Sequence, residues 1–135
     1  MAQAQRQPFV LVVDDEEAIA SSLALILRLH GGFRTKSFNH PREALEAARL
    51  EAPDLLISDV MMPDLSGIDL AILVQEICPH CKVLLFSGQP ATVRLVESAR
   101  ANGHDFELLL KPVNPGDLLI RIRSLTKPAP LPDPL

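Results

Sequence analysis

The chain has 135 residues, 47% of them hydrophobic and 22% charged, the size and mixture of one globular domain with no room for a second. A chain of this length buries roughly two-thirds of its unfolded surface, so neither a disulfide nor a metal is needed to keep it folded. Thirteen basic against seventeen acidic residues give a net charge of −4, the wrong sign for non-specific binding to a nucleic-acid backbone.

No apolar run approaches the ~18 to 20 residues of a membrane span, and residues 1–7 lack the apolar stretch of a secretion signal, so a cytoplasmic location is expected. Residues 1–7 are polar and without pattern, and Pro128, Pro130, Pro132 and Pro134 crowd the other end. A folded unit over 8–125 is therefore expected between a tail at 1–7 and a proline-rich tail at 126–135.

Phe9-Val10-Leu11-Val12-Val13 is a continuous β-branched and aliphatic run, as in a strand buried on both faces, and it stops at Asp14-Asp15. Glu17 to His30 takes helical spacing, with Ile19, Ser22, Leu23 and Ile26 on one stripe and Gly31-Gly32 as the stop. Phe33 to Phe38 reads as a second strand. Asn39 is placed to cap a helix to about Glu51, with Pro41 in its first turn and Ala44, Leu45 and Ala48 inward. Leu55 to Ser58 is a third strand, also ending on an aspartate, Asp59, and 60–66 is a loop. Gly67 to Ile77 carries a stripe of Leu70, Leu73, Val74 and Ile77, and the strand Lys82 to Phe86 then ends at Ser87-Gly88. A helix over about 91–102, a strand over 106–110 ending at Lys111-Pro112, and a helix over about 115–125 complete five strand-then-helix repeats.

Strict alternation of this kind specifies a parallel sheet covered on both faces, because parallel neighbours need right-handed crossovers. Such sheets bind ligands outside the carboxyl ends of their strands. Those ends carry Asp14-Asp15, Asp59, Ser87 and Lys111: three carboxylates, a hydroxyl and an ammonium on one edge. Aspartates there can simply cap the helices that follow. Clustered carboxylates, however, repel one another unless a hard cation or a raised pKa relieves them, and magnesium suits one or two carboxylates plus waters and a phosphate oxygen. A carboxylate beside such an ion can attack a phosphoryl group to form an aspartyl phosphate, with Lys111 and Ser87 holding the phosphoryl oxygens.

In this combination of motifs the chain resembles the receiver domains of two-component response regulators, the CheY-like superfamily. The resemblance covers about residues 8–125. It rests on Asp14-Asp15, on Asp59 followed by Val60-Met61-Met62-Pro63-Asp64-Leu65-Ser66-Gly67, on Ser87-Gly88, and on Lys111-Pro112. It implies a flavodoxin-like, doubly wound α/β fold: a five-stranded parallel sheet in order 2-1-3-4-5, with five helices. It further implies Asp59 as phosphoacceptor, Mg2+ held by Asp14, Asp15, Asp59 and the backbone carbonyl of Met61, Ser87 on the phosphoryl oxygen, Lys111 paired with acceptor and phosphate, and a cis peptide before Pro112. The expected protein is a stand-alone receiver in a phosphorelay, a monomer or phosphorylation-dependent dimer. It would take phosphate from a sensor histidine kinase or phosphotransfer protein, catalyse only its own modification, and signal through a downstream protein.

Two departures from the family pattern stand out. Three residues before the lysine, where many receivers carry an aromatic residue that swings inward, this chain has Leu108, and it has no tyrosine. Phe106 lies two residues earlier, on the same side of a strand, and is a candidate substitute. The stretch from Gly103 to Lys111 also looks one residue long, consistent with a bulge or an altered loop. Met61 and Gln89 occupy the two positions that influence acyl-phosphate hydrolysis in the family.

Cys78-Pro79-His80-Cys81 could be a redox dithiol or half a zinc site. It sits between a helix end and a strand, and the other histidines are distant in sequence, so reduced thiols in a surface loop are expected. Leu25, Ile68 and Ile72 lie off the inward stripes and are candidates for a partner surface, Leu25 by resemblance for the phosphodonor. Two rivals to the receiver remain: a receiver-like scaffold acting without phosphorylation, and an aspartate-nucleophile phosphohydrolase, which would normally need an Asp-x-Asp pair on the first strand. A dinucleotide-binding fold is disfavoured, since no G-x-G-x-x-G follows that strand.

Overall fold

A computed structural model describes residues 7–112 and 114–126; the two expected tails lie almost wholly outside these residues. In chain order the elements are β1 (Phe9–Val13), α1 (Glu17–Ile26) extended by a π-helical turn (Leu27–Gly31), β2 (Arg34–Phe38), α2 (Pro41–Leu50), β3 (Leu55–Asp59), α3 (Gly67–Ile77), β4 (Lys82–Ser87), α4 (Ala91–Ala101), β5 (Glu107–Leu110) and α5 (Pro115–Thr126). The strands form one sheet in order β2-β1-β3-β4-β5, with every pair parallel. No helix among the described residues is long and apolar enough to cross a membrane.

Side chains alternate across the sheet and so build two cores. Phe9, Leu11 and Val13 of β1 join Leu56 and Leu85 on the face covered by α2, α3 and α4, where Ala44, Ala48, Leu70, Val74 and Val96 pack. Val10 and Val12 join Ile57 and Leu84 on the other face, under Ala20 and Ala24 of α1 and Leu118 and Ile122 of α5. Both faces of the central strands are thus dry, which is why β1, β3 and β4 read as unbroken apolar runs. Edge strand β2 mixes exposed and partly buried residues, with none fully buried.

Several local expectations are corrected. On α1 the buried residues are Ala20 and Ala24, followed by Leu27, while Ser22 is exposed and Ile19, Leu23 and Ile26 flank the contact. Small alanines let the helix approach the sheet closely, and the larger side chains straddle the seam. The same rotation on α3 buries Ile68, Leu70, Ala71 and Val74 and leaves Ile77 exposed. Ile68 and Ile72 therefore belong to the core and its margin, not to an exposed surface, whereas Leu25 is 47% exposed. Helix α2 starts at Pro41 behind His40, which makes no side-chain cap, so Asn39 is not its cap. Residues 104–106 form a loop ahead of β5, and the β4–β5 register is unbroken.

Cys78 and Cys81 are likewise not surface thiols. Their loop exposes Pro79 and His80 but turns both sulfurs into the core beneath α2 and α3. The Cys78 thiol donates to the Ala48 carbonyl at 3.6 Å and the Cys81 thiol to the Lys82 carbonyl at 3.3 Å. Burial raises the pKa of Cys78, and burial followed by the neighbouring Cys78 pushes Cys81 up to about 12. Both thiols are expected to resist a disulfide reagent at pH 8 in the folded protein and to react in denaturant; stoichiometric labelling under native conditions would contradict this burial.

Candidate functional site

The carboxyl ends of β1, β3, β4 and β5 meet on one edge of the sheet, and the chain there is fixed by backbone bonds. Val60 N–H donates to the Phe86 carbonyl (3.0 Å), Gly67 N–H to the Val60 carbonyl (2.8 Å) and Lys111 N–H to the Ser87 carbonyl (2.8 Å). These tie the residue after Asp59, the start of α3, Ser87 and Lys111 into one frame. Ser66 caps α3, its hydroxyl accepting the Asp69 N–H at 3.1 Å.

Asp14, Asp15 and Asp59 each bring a carboxylate oxygen within 4.8 Å of the others. Lys111 Nζ lies 3.3 Å from Asp59 Oδ2 and 3.6 Å from Asp14 Oδ2. Asp14 is buried, Asp59 partly so, and Asp15 exposed, so the cluster opens to solvent on one side. Asp14 Oδ1 accepts the Glu16 N–H at 3.0 Å, but its buried Oδ2 has no hydrogen-bond partner. Burial raises the Asp14 pKa; Asp59 and Asp15 push it the same way against the Glu16 N–H and Lys111. The Lys111 pKa is also raised: desolvation lowers it, but Asp59 and Asp14 together outweigh that.

The sequence-derived site residues fall into three groups. Asp14, Asp15, Asp59 and Lys111 are brought together. Met61 is half-exposed on the loop after Asp59. Ser87 reaches the same edge, but its buried hydroxyl is engaged elsewhere: it is hydrogen-bonded to Thr92, donates to the Gln89 carbonyl at 2.8 Å and accepts the Gln89 N–H at 3.1 Å. The peptide bond between Lys111 and Pro112 is cis. Phe106 is fully buried and Leu108 packs against the same core, so they do share a side.

Two participants, Thr92 and Arg42, escaped the sequence reading, and the role of a third, Gly67, was not drawn from the motif that contains it. Thr92, buried in the first turn of α4, partners Ser87. Arg42 grips Asp64 with two bonds, 2.6 and 3.3 Å, tying α2 to the loop after Asp59. Gly67 lies so close to Asp59 that a Cβ would meet its carbonyl oxygen at 2.0 Å. The signal in the sequence was the Gly that closes the motif following Asp59. Beside Lys111 opens a cleft of about 440 Å³ lined by Ile19, Leu23, Phe86, Gly88, Lys111 and Pro112.

This fold and site define a receiver. The sequence pattern of the response regulator receiver domain family matches residues 10–123, and the chain belongs to that family. It is 33% identical to the probable transcriptional regulatory protein TcrX of Mycobacterium tuberculosis, over 94% of this chain and 53% of that protein, so it spans about half of TcrX. Among solved structures it is similar to a response regulator receiver domain protein from Clostridium thermocellum (TM-score 0.79, 30% identity, 88% of this chain and 94% of that one). It is also similar to a CheY-like receiver domain protein from Methanospirillum hungatei (TM-score 0.78, 30% identity, 88% and 93%). Phosphorylation on an aspartate is general to the family, and these relatives are response regulators rather than conventional enzymes.

Proposed function

We propose that residues 8–125 form the receiver unit and that Asp59 is its phosphoacceptor. The observation that carries this is the ion-pair geometry: one ammonium, Lys111 Nζ, bridges Asp59 (3.3 Å) and buried Asp14 (3.6 Å) at the end of the sheet where three carboxylates meet. Lys111 steadies Asp59 before transfer and supplies positive charge to the phosphoryl oxygens after it. The donor's P–N bond breaks as a bond from phosphorus to an Asp59 carboxylate oxygen forms, and the departing imidazole keeps its electron pair and takes up a proton.

The residues present fit Mg2+. Asp14 Oδ2 is a buried carboxylate oxygen with no hydrogen-bond partner, facing two further carboxylates. Asp14, Asp15, Asp59 and the Met61 carbonyl would hold the ion, which when bound offsets the charge gathered on acceptor and phosphoryl group. Ser87 turns its hydroxyl to a phosphoryl oxygen. The chain thus catalyses only its own phosphorylation and dephosphorylation. It receives phosphate in the cytoplasm from a histidine kinase or phosphotransfer protein, which docks beside Leu25 and the Lys111 cleft, and it acts on a downstream protein rather than directly on nucleic acid.

Intact mass after incubation with acetyl phosphate tests this. The parent is expected to gain one phosphoryl group only with magnesium, and Asp59→Asn none. Equal uptake by Asp59→Asn, or no beryllofluoride binding by the parent, overturns it.

A further inference from the structure

The resting position of Ser87 is held by a residue with no part in the chemistry. Ser87 and Thr92 are both buried and their hydroxyls are hydrogen-bonded to each other. Both also reach the Gln89 carbonyl, Ser87 at 2.8 Å and Thr92 at 2.7 Å, while the Gln89 N–H donates to Ser87 Oγ at 3.1 Å and the Thr92 N–H to the Gln89 carbonyl at 3.1 Å. Ser87 ends β4 and Thr92 lies in the first turn of α4. The hydroxyl pair therefore ties the site edge of the sheet directly to that helix, whose preceding residue Pro90 supplies no side-chain cap.

We propose that Thr92 is a positioning residue: its hydroxyl clasps Ser87 in the unphosphorylated state and anchors the first turn of α4, and capture of Ser87 by the phosphoryl group releases that turn. This rests on the assignment of Asp59 as phosphoacceptor. A serine hydroxyl has one proton to donate, so it cannot serve Thr92 or Gln89 and a phosphoryl oxygen at once. On release Thr92 donates to the Gln89 carbonyl, and the N–H of exposed Gln89 passes from Ser87 Oγ to water. The exchange is reversible for that reason. No aromatic side chain lies between Ser87 and the first turn of α4 in this hydroxyl pair. Leu108 stands at the switch position, and Phe106 is fully buried, stacked on His104 with ring centroids 5.7 Å apart, its carbonyl pinned by Arg100 through bonds of 3.2 and 2.8 Å. The hydroxyl pair is the direct polar connection from Ser87 into α4.

The test is backbone amide hydrogen exchange across residues 92–96 of the full chain, with bound beryllofluoride followed in parallel by fluorine NMR. Adding beryllofluoride and magnesium to the parent is expected to speed exchange in this segment about three- to tenfold, the loss of one ordinary hydrogen bond. Thr92→Val exchanges at that raised rate without ligand and responds no further, Thr92→Ser behaves as the parent, and Ser87→Ala combined with Thr92→Val is no faster than either alone. A purely structural threonine would instead leave the ligand response intact and add to the effect of Ser87→Ala, and either result overturns the clasp. Bound beryllofluoride without faster exchange in the parent overturns the clasp alone; no bound fluoride in the parent overturns the Asp59 assignment and the clasp with it.

Discussion

Gly67→Ala is expected to cost about 3 kcal/mol of stability and to slow phosphorylation by two orders of magnitude or so, although it adds a single methyl group. The added Cβ would stand 2.0 Å from the Asp59 carbonyl oxygen and 2.9 Å from its carbonyl carbon, both backbone atoms that no rotamer change can move aside. Either β3 must shift at the residue that carries the acceptor carboxylate, or the first turn of α3 must retreat and give up the bond from Gly67 N–H to the Val60 carbonyl. Overpacking of this kind usually costs about 1–3 kcal/mol, and this contact belongs at the upper end because neither side is soft. Thermal unfolding should fall by about 10 °C, and the rate of acetyl phosphate uptake should fall with it. Gly88→Ala is the control. It lies next to Ser87, yet its Cβ would meet only Lys111 Cδ at 3.8 Å, an ordinary contact, and should leave the melting temperature within a few degrees of the parent. Similar melting temperatures for the two variants would show that the Asp59 backbone is not packed against α3 as described.

The contrast between these glycines marks what was legible in the sequence. The parallel α/β class, the helix count and the meeting of Asp14, Asp15, Asp59 and Lys111 on one edge followed from continuous apolar runs alternating with runs of period 3.6 and ending on acidic or basic residues, because buried parallel strands leave a strong local signature; the strand order came from the resemblance to receiver domains. Helix faces were read less well, since on α1 the contact is made by Ala20 and Ala24 and hydrophobic spacing is weighted toward larger side chains. The cysteines were misplaced because sequence position shows that a loop exists but not that its thiols turn inward. Thr92 was invisible for a different reason. A threonine in a first helical turn is ordinary, and its partner, five residues away across Gln89 and Pro90, is disclosed only by the turn of the chain.

Asp14→Asn is expected to raise the stability of the magnesium-free protein and to abolish most of the stabilisation that magnesium confers. Asp14 is buried with Oδ2 lacking a hydrogen-bond partner, and burial is the leading cause of its raised pKa. The sign follows directly: the folded chain binds a proton at Asp14 more tightly than the unfolded chain, whose group titrates near 3.8. The group's favourable contribution is therefore full below that pH and lost as pH rises through the folded value, leaving a net penalty at neutrality. Asparagine keeps an oxygen for the Glu16 N–H and carries no charge to repel Asp15 and Asp59 or to be desolvated. A gain of about 1–3 kcal/mol at pH 7 is expected, shrinking toward zero near pH 3. Lys111 limits the gain, because it loses the partner at 3.6 Å and keeps only Asp59 at 3.3 Å. Magnesium reverses the order. At a hundredfold excess over its dissociation constant it stabilises the parent by about 2.7 kcal/mol, whereas the variant has surrendered an anionic ligand. Denaturant unfolding at pH 7 with and without magnesium should therefore give crossing stabilities, the variant ahead without the ion and the parent level or ahead with it. A variant less stable than the parent without magnesium would mean that Lys111 already compensates Asp14 in full, and equal responses to magnesium would remove Asp14 from the ligand set. Crossing would show that the carboxylate is retained at a cost to the fold for the chemistry at Asp59.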